Sequence, residues 1–141
     1  MKGGKIFVDA NIIVYAYDIL AVEKHEIATR MMEDLWRSGF GILSTQVLQE
    51  FFVVITEKIT APLDVRTAKE IVSDLLKWDI VINDGESILD AIEVQQHYQY
   101  SFWDSLIIQA AIKGNAYLLL SEDFKDGHEI EGLKIENPFI H

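Results

Sequence analysis

The fold of this chain is decided by the stretch KIFVDANIIVYAY, residues 5–17. Residues 5–8 form a short apolar run, which is typical of a buried strand, and residues 11–17 have the apolar content of a short helix. A buried strand that leads straight into a helix indicates a crossover to a neighbouring parallel strand. Asp9 follows the apolar run directly, so we expect its carboxylate at the C-terminal end of a central strand.

The rest of the chain alternates the same two kinds of segment. Short apolar runs predict strands at residues 41–43, 80–82, 117–120 and 133–135, and longer periodic segments predict helices at residues 23–37, 45–58, 65–78, 86–99 and 102–113. We therefore predict an α/β fold with three layers, α/β/α, around a mostly parallel central sheet of about five strands. No linker, repeat or low-complexity segment interrupts the pattern, so residues 1–141 are expected to form a single domain.

Periodicity also predicts which helix faces are buried. The helix at 23–37 should end at Gly39 and direct inward Ile27, Met31 and Leu35. The helix at 65–78 should be capped by Asp64 and direct inward Ile71, Val72, Leu75 and Leu76. The helix at 45–58 is apolar nearly all round, so we expect it to be buried.

Composition excludes several classes of protein. The formal net charge of −11 argues against a protein that coats nucleic acid by charge alone. The chain has no cysteine, which removes disulfides, zinc–thiolate sites and cysteine nucleophiles and suits a reducing cytosol. No apolar run reaches the roughly 18 residues of a membrane span, and the apolar stretch near the N-terminus is too short for a signal peptide. We therefore expect a cytoplasmic protein without membrane contact.

Three aspartates stand where a strand ends or a helix begins. Asp9 and Asp123 each follow an apolar run, and Asp104 lies three residues after Ser101 in YSFWDSLI. Each position also has a structural interpretation: a helix cap for Asp9, an Asx-turn for Asp123 and a capping box with Ser101 for Asp104. Functional groups collect beyond the carboxyl ends of parallel strands, so these three side chains are also candidates for one site.

Glu50 is a fourth candidate because of its surroundings in VLQEFFVVI, residues 47–55. A glutamate is almost never fully buried unless it is paired or bound to a metal. Glu50 and Gln49 either form a narrow solvated stripe, or Glu50 belongs to a site near the start of its helix. Of the neighbouring acids, we expect Glu122 to be solvated and Asp126 to be an outer member of the site.

Four carboxylates brought to one sheet edge repel one another and stay ionised together only if a cation compensates them. Oxygen ligands without cysteine or a suitable histidine pair favour Mg²⁺ or Mn²⁺ over zinc. Such ions orient and activate water and neutralise phosphate charge, which suits hydrolysis of phosphodiester bonds. The residue pattern thus predicts a metal-dependent phosphodiesterase site.

The segments VDANI, QEF, FWDSLI and SEDF, which contain Asp9, Glu50, Asp104 and Asp123, resemble the four acidic motifs of PIN-domain ribonucleases. More narrowly, the chain resembles the VapC toxins of type II toxin–antitoxin pairs, nearly from end to end. The resemblance implies an endoribonuclease that needs Mg²⁺ or Mn²⁺, forms a homodimer and is inhibited by an antitoxin. It assigns metal binding and catalysis to the four acids.

The same resemblance assigns supporting positions to Asn11 and Ser121. The fourth acid is the most variable of the family, so Asp126 competes with Asp123 for that role.

Other classes of protein remain as alternatives. A signalling receiver domain would need adjacent acids after its first strand, a phosphoacceptor aspartate after its third and a lysine after its last. Here Asp84 follows the third predicted strand and suits a helix cap better. An aspartyl phosphatase would need an acid at the place of Asn11. A PIN-like binding module without activity is the third alternative, and the presence of all four acids argues against it.

The histidines and aromatic residues have plainer interpretations. We expect surface positions for His25, His97, His128 and His141, since none is spaced from another as metal ligands are. The segment HYQY, residues 97–100, suits either stacking on a nucleotide base or packing at a helix end. Trp36 and Trp78 are expected in the core or at an interface.

Overall fold

A computed structural model describes residues 4–140, and the predictions for the first three residues and for His141 lie outside this range. Six strands form one sheet: β1 (Lys5–Val8), β2 (Gly41–Ser44), β3 (Asp79–Val81), β4 (Ala116–Leu120), β5 (Glu129–Ile130) and β6 (Leu133–Glu136). Six α-helices connect them: α1 (Ala10–Tyr17), α2 (Glu23–Ser38), α3 (Thr45–Glu57), α4 (Val65–Leu75), α5 (Gly85–Tyr98) and α6 (Phe102–Lys113). A 3₁₀ turn at Ile19–Ala21 joins α1 to α2.

The strand order in the sheet is β3-β2-β1-β4-β6-β5, and all pairs are parallel except β5 with β6. Helices α1 to α4 pack among themselves, while α5 and α6 pack on each other, and the predicted α/β/α arrangement with a mostly parallel sheet is confirmed. The sheet has six strands rather than about five. The unpredicted β5 is only two residues long and pairs with β6 in a hairpin, so no hydrophobic period reveals it.

The strand order locates a crevice at the carboxyl edge of the sheet. From β1 the chain proceeds outward to β2 and β3 on one side, and then returns to place β4 on the other side of β1. In open α/β sheets, ligands bind outside the carboxyl ends of the strands where the order reverses in this way. That point lies between β1 and β4, and the residues that follow these strands are Asp9 and Ser121.

The predicted helix faces are confirmed for some residues and wrong for others. Leu35 is buried in α2, but the deepest neighbours are Ala28 and Met32, while Ile27 and Met31 are half-buried. In α4 Leu75 is buried, whereas Leu76 is 54% exposed because the helix ends before it. Helix α3 is not buried all round, since Val53 is 39% exposed. An apolar sequence therefore overstated the burial of this helix.

Local capping accounts for several helix boundaries. The Asp64 side chain accepts a hydrogen bond from the Thr67 amide at 2.9 Å and begins α4, as predicted. Gly39 ends α2 with φ of 75°, a left-handed conformation that glycine adopts without steric cost. Within residues 4–140, no helix is both long enough and apolar enough to cross a membrane.

Two glycines provide a matched test of packing at the sheet. A Cβ on Gly41 in β2 would lie 2.2 Å from Cζ3 of Trp78, whose half-buried ring packs edge-to-face against the 42% exposed Trp36. A Cβ on Gly85, the first residue of α5, meets no atom within 4 Å. The same change to alanine can therefore be made at one crowded position, Gly41, and at one open position, Gly85.

We predict that Gly41→Ala lowers the free energy of unfolding by about 1–3 kcal/mol, because the indole ring must move. Gly85→Ala should leave the stability unchanged or raise it by up to about 1 kcal/mol, because alanine loses less entropy on entering a helix. Urea denaturation of both variants and the native chain measures the difference. Equal stability of the two variants would show that Trp78 does not pack against Gly41.

Candidate active site

Asp9 forms the buried floor of the crevice between β1 and β4. Its side chain is 6% exposed and accepts two hydrogen bonds, one from the Ala10 amide at 2.8 Å and one from the Ser121 hydroxyl at 2.8 Å. The first bond makes Asp9 the N-cap of α1, so the capping interpretation and the placement in the crevice are both correct. Ser121 follows β4 directly and thus joins the two central strands through their terminal side chains.

Asp123 lies beside Asp9 on the same edge. The Asn11 amide donates to its Oδ2 at 2.7 Å, and its own backbone amide donates to the Ser121 hydroxyl at 3.1 Å. The turn after β4 is therefore stabilised by the Ser121 side chain. Asn11 and Ser121 each contact one of the candidate acids, as their predicted supporting positions require.

Glu50 occupies the predicted edge, but the burial argument that singled it out is wrong. Glu50 and its neighbour Gln49 are both exposed, so they do form the solvated stripe that the sequence allowed. The Glu50 carboxylate nevertheless faces the crevice side of α3, where Gln46 Nε2 donates to its Oε2 at 3.1 Å. Gln46 itself is buried, and sequence analysis missed it.

Asp104 lies half-buried in the first turn of α6. The Ser101 hydroxyl accepts from the Asp104 amide at 3.1 Å and begins the helix, which is one of the two bonds of the predicted capping box. The adjacent Trp103 is 65% exposed. The cap is supplied by Ser101, which leaves the Asp104 carboxylate available to the crevice.

Electrostatic repulsion connects all four acids. Each acid either raises the pKa of two of the others or has its own pKa raised by two of them. Burial raises the pKa of Asp9 to about 6, against the lowering effect of its bonds from Ser121 and Ala10, and repulsion from Glu50 and Asp123 adds to the rise. Partial desolvation raises the pKa of Glu50, and repulsion by Asp104 and Asp123 contributes. The four predicted residues therefore form one electrostatic cluster.

Asp123 belongs to the same cluster even though its side chain is exposed. Its pKa is raised by desolvation first and then by repulsion from Glu122 and Asp104, while the Asn11 hydrogen bond lowers it. Asp126, its competitor, accepts a hydrogen bond from the Asn137 amide at 2.8 Å, in the chain after β6. The repulsion that Asp123 shares with Asp9, Glu50 and Asp104 favours Asp123 as the fourth acid.

The four carboxylates do not converge on a single point. Within residues 4–140, no three acidic or histidine side chains stand close enough to hold a metal ion between them. Mg²⁺ and Mn²⁺ accept carboxylate oxygens, and Mg²⁺ commonly binds through one or two carboxylates while it keeps several waters. The oxygen-only donor set fits such an ion, and the spacing fits binding through few direct ligands.

Glu122 does not have the solvated position that we expected. Its carboxylate pairs with the Lys24 ammonium at 2.8 Å and accepts from the Tyr15 hydroxyl, and its side chain is only 17% exposed. Lys24 also lies over the rings of Tyr15 and Phe139. This contact ties α1, α2 and the C-terminal segment to the residue next to Asp123, and no local signal in the sequence relates positions so far apart.

The remaining polar candidates have structural roles. Asp84 caps α5 in a reciprocal capping box with Ser87, as the sequence indicated. A receiver domain would have the flavodoxin-like order 2-1-3-4-5, with its third strand beside the first, whereas β3 lies beyond β2. This strand order excludes the receiver alternative.

The histidines are partly integrated into packing rather than simply at the surface. His25 Nδ1 lies 2.9 Å from the Tyr15 carbonyl oxygen, and His128 contacts the Tyr100 hydroxyl. The rings of Tyr98 and Tyr100 pack against His128, with centroids 6.4 and 5.8 Å from it. This arrangement matches packing at a helix end.

We predict that Asp9→Asn makes the metal-free protein more stable at pH 7 by about 1–3 kcal/mol. Burial raises the folded pKa of Asp9 to about 6, whereas the unfolded chain ionises near pKa 3.9, and each unit of difference corresponds to about 1.4 kcal/mol. The cost of ionisation is absent below pH of about 4, grows as the pH rises toward 6 and is constant above. Denaturation with chelator at pH 7 and pH 4 measures it.

The advantage of the Asn variant should therefore disappear at pH 4. Asp64→Asn, which retains an exposed helix cap far from the cluster, serves as the control and should show no such gain at pH 7. An Asp9→Asn variant that is less stable than the native chain at pH 7 would contradict the proposed charge burial.

Comparison with known proteins bears on this cluster. A family model of the PIN domain matches residues 6–126. No curated protein sequence gives a significant match. Among solved structures, the chain is similar to VapC20 of Mycobacterium tuberculosis, a toxin that cleaves the sarcin–ricin loop, with 17% identity over 82% of this chain and 87% of that one and a TM-score of 0.62.

Two toxin–antitoxin complexes are similar over nearly their whole length. DNA-bound VapBC of Salmonella typhimurium has 14% identity over 95% of this chain and 98% of that one, with a TM-score of 0.67. VapBC2 of Rickettsia felis, bound to a promoter fragment, has 21% identity over 94% and 97%, with a TM-score of 0.64. At such identities the likeness establishes the fold. The family model covers most of the chain, including all four acids, and the chain therefore belongs to the PIN-domain family.

Proposed function

We propose that this chain is a metal-dependent endoribonuclease that hydrolyses RNA phosphodiester bonds and acts as the toxin of a VapBC-type toxin–antitoxin pair. The observation that carries the proposal is the cluster of Asp9, Glu50, Asp104 and Asp123 at the strand-order reversal of a PIN domain. Similarity to toxin structures supports the biological role. Cellular RNA as substrate implies action in the cytoplasm.

Mg²⁺ or Mn²⁺ would be held within the cluster of four acids, by one or two of them directly and by the others through water or their charge. When bound, the ion lowers the pKa of a coordinated water and neutralises charge on the phosphate. Ser121 and the Ala10 amide orient the Asp9 carboxylate, and Asn11 orients that of Asp123. The exposed Glu50 and Asp123 line the part of the crevice that an RNA strand reaches from solvent.

An inactive PIN-like binding module is the competing function. A module without catalysis has no need to keep four neighbouring carboxylates, whose mutual repulsion costs stability in the absence of a cation. The supporting contacts from Asn11 and Ser121 are also intact. Activity measurements distinguish the two functions.

We predict that RNA cleavage requires Mg²⁺ or Mn²⁺, stops with excess EDTA and falls by orders of magnitude in Asp104→Asn. Asparagine keeps the volume of the side chain but loses the charge that a metal ligand needs. The measurement is a cleavage assay on structured RNA, with circular dichroism to confirm the fold of each variant.

Asp84→Asn is the matched control, because Asp84 also stands at a helix start beyond a strand, where it caps α5 and pairs with Lys113 at 3.7 Å rather than with any of the four acids. Asparagine is an equally good cap, so this variant should remain active. Cleavage that persists in EDTA would refute the metal requirement, and near-native activity of Asp104→Asn would reduce Asp104 to a structural residue.

Helix α5 presents the surface that best suits a homodimer. It buries Ser87, Ala91 and Val94 against α6, while its outer side exposes Ile88, Leu89 and Ile92 by 48%, 62% and 40%. A two-fold interface places the same patch of both subunits together, so it favours apolar groups without like charges at its centre. This outer apolar patch of α5 supports the proposed homodimer.

A separate apolar groove lies between α3 and α4. Its volume is about 360 Å³, and its lining comprises Leu48, Gln49, Phe52, Val53, Lys69 and Val72. Lys69 is the one charged residue of this lining. A groove of this kind suits the apolar face of a partner segment, and we assign it to the antitoxin.

We predict that Ile88→Glu converts the dimer to a monomer, because it places two carboxylates in the α5 interface. Val53→Glu should leave the dimer intact and weaken antitoxin binding at least tenfold, because it puts a charge in the apolar groove. Light scattering of the free protein and calorimetric titration with the antitoxin measure the two effects. Each variant is the control for the other, and a native chain that is monomeric at micromolar concentrations would contradict the dimer.

A further inference from the structure

Gln46 is an unusual residue in the first turn of α3. It is 7% exposed in a helix that otherwise buries apolar side chains, and glutamine is mostly found at protein surfaces. Its Nε2 group donates two hydrogen bonds, one to Glu50 Oε2 at 3.1 Å and one to the Trp103 carbonyl oxygen at 3.2 Å. The buried amide thus contacts one candidate acid and the residue that precedes another.

These two bonds connect helices that otherwise have little backbone contact. Helix α3 follows β2, and α6 arrives from the opposite face of the sheet. Through Trp103, the Gln46 amide holds the first turn of α6, which carries Asp104. Through Glu50, it holds a carboxylate on α3. The Gln46 side chain therefore sets the position of Glu50 relative to the first turn of α6, which carries Asp104.

The chemistry of the contact determines which end of the amide faces the site. Glu50 Oε2 and the Trp103 carbonyl are both acceptors, so only the NH₂ group can meet them. The Gln46 Oε1 atom is left buried without a hydrogen-bond partner. A buried orphan acceptor costs stability, so the orientation of this amide is set by the two acceptors that its nitrogen meets.

We propose that Gln46 is a positioning residue of the nuclease site, which fixes the Glu50 carboxylate relative to the first turn of α6. The inference rests on the proposed function, because the value of this orientation is in catalysis. It also explains the residue type. Methionine would fill the space without a donor, and glutamate would place a second carboxylate against Glu50.

Gln109 provides a closely matched control within α6. It is 4% exposed, its Nε2 donates to Asn83 Oδ1 at 3.1 Å and to the Leu106 carbonyl at 3.0 Å, and its Oε1 is also buried without a partner. It differs from Gln46 in contacting none of the four acids. The same substitution at both positions separates a catalytic effect from the general effect of removing a buried amide.

The first experiment compares Gln46→Met with Gln109→Met in steady-state RNA cleavage with Mg²⁺ or Mn²⁺. We expect Gln46→Met to lower kcat by about 10- to 100-fold, the scale of effect for misplaced catalytic groups, with KM within about threefold of the native value. Gln109→Met should keep kcat within about threefold. The inference is overturned if Gln46→Met keeps native kcat or if both variants lose kcat equally.

A second experiment needs no metal and no activity. A double-mutant cycle of Gln46→Met with Glu50→Met, followed by denaturation in chelator, should show non-additive stability effects, because the two side chains interact directly. The cycle of Gln109→Met with Glu50→Met should be additive. Additivity in both cycles would overturn the link between Gln46 and Glu50.

The two experiments distinguish a failure of the proposed function from a failure of the inference about Gln46. If the native chain cleaves no RNA with either metal, the proposed function fails, and the catalytic part of the inference fails with it. Coupling in the metal-free cycle would still establish that Gln46 positions Glu50. If the native chain is active and the coupling is absent, the proposed function stands and the inference alone is wrong.

Discussion

Repulsion among the carboxylates at the edge of the sheet is the constraint that the rest of this structure must satisfy. Asp9 and Asp123 follow β1 and β4, whereas Glu50 and Asp104 lie in α3 and α6, so the four acids are far apart in the sequence. The core supplies the force: residues such as Phe7, Leu43 and Leu119 are fully buried in neighbouring strands and keep β1, β2 and β4 in register. Burial of apolar strands therefore determines where charges meet, against the preference of the charges themselves.

The donors that contact these acids are neutral. A serine hydroxyl and a backbone amide meet Asp9, a primary amide meets Glu50 and another meets Asp123. Lys24 is paired with Glu122, the residue next to Asp123, rather than with one of the four acids. Neutral donors orient the carboxylates without cancelling their charge, so the site keeps a negative potential that a divalent ion is suited to compensate.

The sequence was most informative for candidate site residues that directly follow a strong local pattern, such as an apolar strand. Asp9 and Asp123 could be predicted because each follows an apolar strand, and the strand–helix alternation then brought them to one edge. Glu50 was found for an incorrect reason, since it is exposed although its neighbours Leu48 and Phe51 are buried. Gln46 could have been noticed from its spacing of four residues to Glu50, which places both on one helix face. Glu122 could not, because its partners Tyr15 and Lys24 are about a hundred residues away.

The candidate site has a buried part and an exposed part, and this division suits the binding of a negatively charged substrate. Asp9 lies on the floor, where water is excluded and its charge is costly, so a cation gains most by binding there. Glu50 and Asp123 lie at the solvent side, where the proposed RNA substrate would approach a chain of net charge −11. Attraction of the RNA backbone by the protein's overall charge is therefore unfavourable. Binding of the proposed substrate would therefore depend on the cation and on local contacts, and the orientation of the outer carboxylates, to which Gln46 and Asn11 contribute, bears on how that cation is held.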